Sequence, residues 1–184
     1  MKKTLFTLGL GLVMATSAYS QGVVAFANVG GGLNAPIFLN TTGNNLPTTY
    51  SVDLLVGTSA GSVSTLVGSK TLASAGYFTA TSGTTLPSGF NAGTTYFFQA
   101  RAYETAAGSF AASATKGSSS VFSFTAASGT GNPPPLPGFF TAGNDPNSLG
   151  GLQSFIVTAA VIPEPTTVVL GVMGGLALLL RRRK

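Results

Sequence analysis

The sequence predicts an all-β protein, an antiparallel β-sandwich of about eight or nine short strands. Three observations carry that expectation. Apolar residues recur with a period near two along much of the chain, most clearly over 95–104. Residues 21–162 are rich in Gly, Ser, Thr, Ala and Asn, with Val and Phe spread among them, and lean in helix-favouring Glu, Lys and Leu. No stretch outside the two ends carries a sustained helical stripe.

Residues 1–20 stand apart from that body. Lys2 and Lys3 precede an apolar run from Leu5 to Ala15, and Ala18 and Ser20 place small side chains where a signal peptidase reads them. A cut after Ser20 would make Gln21 the first mature residue. A membrane-spanning first helix is disfavoured, because the run of about 11 apolar residues falls short of the roughly 20 needed to cross a bilayer.

From Gln21 onward the elements follow in order. Residues 23–27 read as a first strand, stopped by Asn28 and Gly30-Gly31-Gly32. Residues 35–39 form a second, whose Pro36 argues for a sheet edge or a strand start. After the polar stretch 40–47, Tyr50, Val52, Leu54 and Val56 alternate with Ser51, Asp53 and Leu55. That is a half-buried strand with Asp53 on its wetter face.

Shorter strands are expected at 62–67 and 76–80. The strongest lies at 95–104, with Tyr96, Phe98, Ala100 and Ala102 on one face and Phe97, Gln99, Arg101 and Tyr103 on the other. Residues 110–114 suggest another short strand. Phe122 and Phe124 share a side within 121–125, and 154–161 aligns Phe155, Val157, Ala159 and Val161. Between those last two, residues 128–151 contain Pro133-Pro134-Pro135 and read as a long, stiff surface connection rather than a domain boundary. A body of about 140 residues is long enough to bury a core, with phenylalanine as its filling.

The formal charge of +5 does not describe the body. Lys2, Lys3 and Arg181 to Lys184 lie at the ends; between Gln21 and Ile162, Lys70, Arg101 and Lys116 balance Asp53, Glu104 and Asp145 to zero. A neutral body with three scattered cations has no phosphate-tracking stripe, so no nucleic-acid partner is expected.

Without Cys or His there is no disulfide framework, no thiolate chemistry and no imidazole base. No cofactor and no metal are expected. Asp53 and Glu104 lie on different predicted strands and are the one candidate carboxylate pair for hydrolysis. Their ordinary reading is a solvated strand residue and a residue near a turn, with Glu104 pairing to Arg101 or Lys116 at the surface. Asn144-Asp145-Pro146-Asn147 has too few carboxylates for calcium and reads as an Asx-type turn. Asn40-Thr41-Thr42 matches a glycosylation acceptor, a pattern short enough to arise by chance.

The C-terminal end is a three-part segment: Pro163-Glu164-Pro165, an apolar stretch over 166–180, and Arg181, Arg182, Arg183 and Lys184. The apolar stretch would make a helix about 22 Å long, short for a hydrocarbon core near 30 Å. Flanking threonines and snorkelling cations extend its reach. The basic stop belongs on the cytoplasmic side, leaving the body on the exported side of a single-pass anchor. Gly171 and Gly175 are spaced for helix packing, but a glycine-rich stretch accounts for one such pair.

This arrangement resembles the PEP-CTERM sorting signal, over residues 162–184 and with all three parts in order. The resemblance implies an exported protein of a Gram-negative bacterium that makes extracellular polymer. It implies processing by exosortase, a membrane-embedded cysteine transpeptidase, with Pro163, Glu164 and Pro165 as the recognition motif. The body, notably 99–103 and 119–122, is similar to sandwich-like regions found with such tails, and that likeness brings no activity with it.

The leading expectation is therefore a non-enzymatic surface or extracellular-matrix protein with a signal peptide over 1–20, a body over 21–162 and a sorting tail over 163–184. Its expected partners are signal peptidase, the transpeptidase and the membrane. The alternative is a carbohydrate-binding or adhesion module, with Tyr50, Tyr77 or Tyr103 stacking on the sugars of extracellular polysaccharide.

Overall fold

The computed structural model of the protein describes residues 20–80, 82–128 and 151–159. Their regular structure is almost entirely β. In chain order the strands are β1 (Gly22–Val24), β2 (Val29–Gly30), β3 (Leu33–Asn34), β4 (Ile37–Leu39), β5 (Tyr50–Gly57) and β6 (Thr65–Thr71). Then come β7 (Thr84–Thr85), β8 (Thr95–Glu104), a 3-10 turn at Thr105–Ala107, β9 (Thr115–Ser118), β10 (Phe122–Thr125), β11 (Ala127–Ser128) and β12 (Phe155–Ala159).

The large sheet has the order β4-β12-β9-β8-β5-β6. Strand β8 is its spine, paired with β5 from Tyr50↔Glu104 to Gly57↔Phe97. The other edge of β8 is shared by β9, along Arg101 to Tyr103, and β10, along Thr95 to Phe98. Between them one extra residue is accommodated around Ser119. Its hydroxyl accepts the Ala100 N–H at 3.0 Å, while its own N–H donates to the Ala100 carbonyl at 2.8 Å. The side chain thus keeps the ladder bonded where the register slips.

Alternation sets the two faces of this sheet. Val52, Leu54 and Val56 oppose Ala102, Ala100 and Phe98, and with Phe122, Phe124 and Val157 they belong to one buried cluster. The same cluster takes in Val24 from a three-stranded sheet, β11-β1-β7, together with Leu86 and Ala126 beside it. Phe26 and Phe78 meet edge to face at 4.9 Å within this core. Lys70 donates from Nζ to the Phe26 and Thr79 carbonyls at 2.9 and 2.8 Å. Burial pulls its ammonium below the ordinary lysine value.

The all-β expectation holds, and β8 and the Phe122/Phe124 pairing fall where alternation placed them. Strand β4 begins directly after Pro36 and is an edge strand. Several expectations are corrected. The sheet is mixed rather than wholly antiparallel, because β12 runs parallel to β4 through Phe155↔Ile37 to Val157↔Leu39. Nearly the whole body forms the crossover that a parallel pair requires. Strand β5 is buried throughout, so Asp53, 5% exposed, is not on a wet face.

The strand expected at 62–67 is β6, starting at Thr65, because Ser62 closes a turn onto the Ser59 carbonyl. Residues 76–80 form no strand, because the stretch starts in a turn: Gly76 has φ 78° and the Tyr77 N–H returns to the Ser74 carbonyl. Residues 110–114 are also turn, with the Ser113 N–H on the Ser109 carbonyl, and β9 follows them. Strand β12 buries Phe155 and Val157 but leaves Ala159 exposed. Strands β2 and β3 form a hairpin across Gly31-Gly32, both at positive φ, where the sequence predicts only the end of the first strand.

Asn28 joins these pieces. Its Nδ2 donates to the Ala35 carbonyl at 2.9 Å and the Gly76 carbonyl at 2.8 Å, and its Oδ1 accepts the Phe78 N–H at 2.8 Å. The residue is fully buried. It ties the end of the first strand, the β2–β3 hairpin and the 76–78 turn into one unit.

The ends of the described body lie far apart along β8. Ala126 exchanges backbone bonds with Gly93 and Thr94, placing the β11-β1-β7 sheet beside the start of β8. Ala159 opposes Thr115 and Lys116 opposes Tyr103, placing the end of β12 beside the end of β8. A ten-residue strand separates the two by about 30 Å. No helix among the described residues is long and apolar enough to cross a membrane. The expected anchor at 166–180 lies outside those residues, as do 1–19 and most of the 128–151 connection.

Candidate functional site

A concentration of charged and aromatic side chains lies on the outer face of the large sheet. Asp53 and Arg101 are direct register partners on β5 and β8. Arg101 donates from Nε and Nη2 to Asp53 Oδ2 at 3.3 and 3.2 Å. The other carboxylate oxygen, Oδ1, accepts from Tyr103 Oη at 3.3 Å and from Ser69 Oγ across on β6. Asp53 is thus a buried carboxylate whose oxygens are all engaged, the condition under which a buried charge is tolerated.

The loop between β8 and β9 closes over this group. Phe110 lies 5.0 Å from the Arg101 guanidinium carbon and 5.3 Å from Lys116 Nζ, measured to its ring centroid. Its ring also meets Tyr103 edge-on at 6.5 Å. Lys116 Nζ donates to the Phe110 and Ala111 carbonyls, each at 3.1 Å, and thereby holds the turn that carries the ring. Ser51 and Thr105 hydroxyls share a bond at 2.8 Å at the loop's other root. The cluster fastens the loop onto the sheet.

Glu104 is not part of it. It opposes Tyr50, three register positions from the Asp53↔Arg101 rung, so its side chain leaves the opposite face of the sheet. Its Oε1 accepts from Tyr50 Oη at 3.3 Å. The Asp53/Glu104 pair does not converge on one cleft, and the expected surface pairing of Glu104 with Arg101 or Lys116 is replaced by the tyrosine contact. Of the three candidate sugar-stacking rings, Tyr50 and Tyr103 are buried, and Tyr77 is half-buried with its hydroxyl on Asn34 Oδ1 at 3.3 Å.

Burial raises the Tyr50 phenol above its ordinary value, with the Glu104 charge adding to it. Burial likewise raises Tyr103, with Asp53 as the second cause. The folded chain therefore keeps both protons at a pH where the unfolded chain has released them. This stability is complete below about pH 10 and is lost as pH rises through the raised values. Lys70 acts with the opposite sign, since its lowered value makes stability rise with pH up to about 10.5. Urea midpoints are expected to fall as pH rises above about 10, and Tyr103→Phe is expected to shrink that fall while lowering the midpoint at neutral pH.

The sequence alone puts Asp53 on the wetter face of one strand and Arg101 beside Phe97, Gln99 and Tyr103 on a face of another, without joining them. The signal was present: both alternate with core residues in facing strands. Among the described residues no three His, Cys, Asp or Glu side chains gather as a metal site. Of the expected processing residues, Ser20 and Gln21 are described. The Ser20 carbonyl accepts the Ala92 N–H at 3.0 Å, and Gln21 bridges to Asn91. Ala18, Pro163, Glu164, Pro165 and Arg181 to Lys184 lie outside the described residues. No family model matches the chain, and neither a curated protein nor a solved structure matches it.

Proposed function

We propose that the chain is an exported surface or extracellular-matrix protein, transiently anchored and then sorted through its C-terminal tail, with no catalysis of its own. The observation that carries the reading is the complete order Pro163-Glu164-Pro165, apolar 166–180 and Arg181-Arg182-Arg183-Lys184, on a chain that opens with a leader-like segment. In this reading signal peptidase cuts after Ser20, a transpeptidase of the exosortase type acts on the Pro-Glu-Pro segment, and the body is a sandwich-like module on the exported side. The body supports it by what its charges do: Asp53, Arg101 and Lys116 are spent on fastening a loop, and Glu104 on Tyr50. Burial of Tyr50 and Tyr103 leaves the sugar-binding alternative with Tyr77.

Expression of the full chain in hosts with and without the transpeptidase, followed by mass spectrometry of the mature C-terminus, tests the proposal. With the enzyme, residues beyond the Pro-Glu-Pro segment are expected to be missing and the body to leave the inner membrane. An intact tail and the same location in both hosts would sink it.

A further inference from the structure

The backbone around the expected leader cut is held from both sides in the folded body. The Ser20 carbonyl accepts the Ala92 N–H at 3.0 Å, and the Gly22 N–H donates to the Phe90 carbonyl at 2.8 Å. The Gly22 carbonyl accepts the Leu86 N–H at 2.8 Å. Strand β1 is the middle strand of its sheet, with Val23 opposite Thr85 on one side and Ala127 on the other. There is no slack in the packing either: a Cβ on Gly22 would lie 2.5 Å from the Ala126 Cβ.

A peptidase takes its substrate as an extended segment, forming its own backbone bonds on either side of the bond it cuts. The Ser20–Gln21 bond cannot offer those groups while Ala92, Asn91 and Phe90 hold them. We infer that leader removal must precede the docking of β1, so that the folded body shields its own cleavage site. This rests on the reading of residues 1–20 as a leader cut after Ser20.

The sequence distance of the partners gives that order a physical basis. Strand β1 needs β7 on one side and β11 on the other, and β11 ends at Ser128. Until residue 128 has been exported, the middle position between them does not exist, and the cut site stays extended and accessible. Once it exists, docking competes with cleavage. A chain that folds with its leader attached keeps that leader.

The test uses the full chain with its leader, in mild detergent, and purified signal peptidase. One sample is folded before the peptidase is added; a second is diluted from denaturant into buffer already holding it. The pre-folded chain is expected to be cut at least about tenfold more slowly. Gly22→Val, which cannot seat β1 beside Ala126, is expected to bring the pre-folded rate close to that of the freshly diluted chain. Equal rates for the two wild-type samples would overturn the inference, and that comparison stands even where Gly22→Val loses more than β1. Absence of cutting in every sample would overturn the leader reading itself, a separate result.

Discussion

Asn28→Ala is expected to be the most damaging single substitution in the body, lowering stability by about 4 kcal/mol. The amide serves three buried backbone groups at once: the carbonyls of Ala35 and Gly76 and the N–H of Phe78. Each group left unpaired costs about 1–3 kcal/mol, and a water in the vacated space recovers part of it. The melting temperature should fall by roughly 10–15 °C for a body of this size. A urea titration checks the result: the midpoint should drop while the slope stays constant. Asn28→Asp sharpens it, because a carboxylate would face two carbonyl oxygens where the amide donated. That variant should regain stability as pH falls and the acid is protonated. A loss under 1 kcal/mol for Asn28→Ala would show that the three segments hold together without it.

Arg101→Met is the second large effect, expected at about 2–3 kcal/mol. The substitution keeps an apolar stem over Phe110 but leaves the Asp53 carboxylate with two hydroxyl partners and no positive charge. Orphaning a buried charge costs about 3–5 kcal/mol; the 29% exposure of the arginine side chain trims that figure through solvent screening. Removing both charges, with Asp53→Leu added, should return stability to within about 1 kcal/mol of the parent, because no unpaired charge remains. Limited proteolysis separates the two roles of Arg101: residues 105–114 should be cut faster in both variants, since both lose one of the two cations on Phe110. Equal stability of single and double variants would mean that Asp53 is not buried as a charge.

How much of this was legible beforehand depended on whether the information was local. Tyr96, Phe98, Ala100 and Ala102 announce a core-facing strand through their own spacing, and Pro36 marks an edge because proline cannot donate to a ladder. Asn28 gives no such sign. Two of its three partners, Gly76 and Phe78, lie some fifty positions away, so its residue type spoke only for a strand end. Two-residue strands such as β7 and β11 are too short to show any period, and the parallel pairing of β4 and β12 joins residues 37–39 to residues 155–157, far apart in the chain. Asp53 and Arg101 fall between these cases. Each face was readable, but their rung was not, because no tight hairpin links β5 to β8 and sets the register.

The place of β12 in the sheet has a mechanical meaning. It is gripped on one side by β4 and on the other by β9, and the chain leaves it at Ala159, four positions before Pro163. In a body held through the proposed tail, tension enters the described fold at that strand. Pulled lengthwise, β12 must slide past both neighbours and break several hydrogen bonds together, whereas a strand pulled sideways from an edge unzips them one by one. If the proposed tail bears load, the sheet order makes β12, an interior strand, the one that meets it, in shear rather than by peeling from an edge.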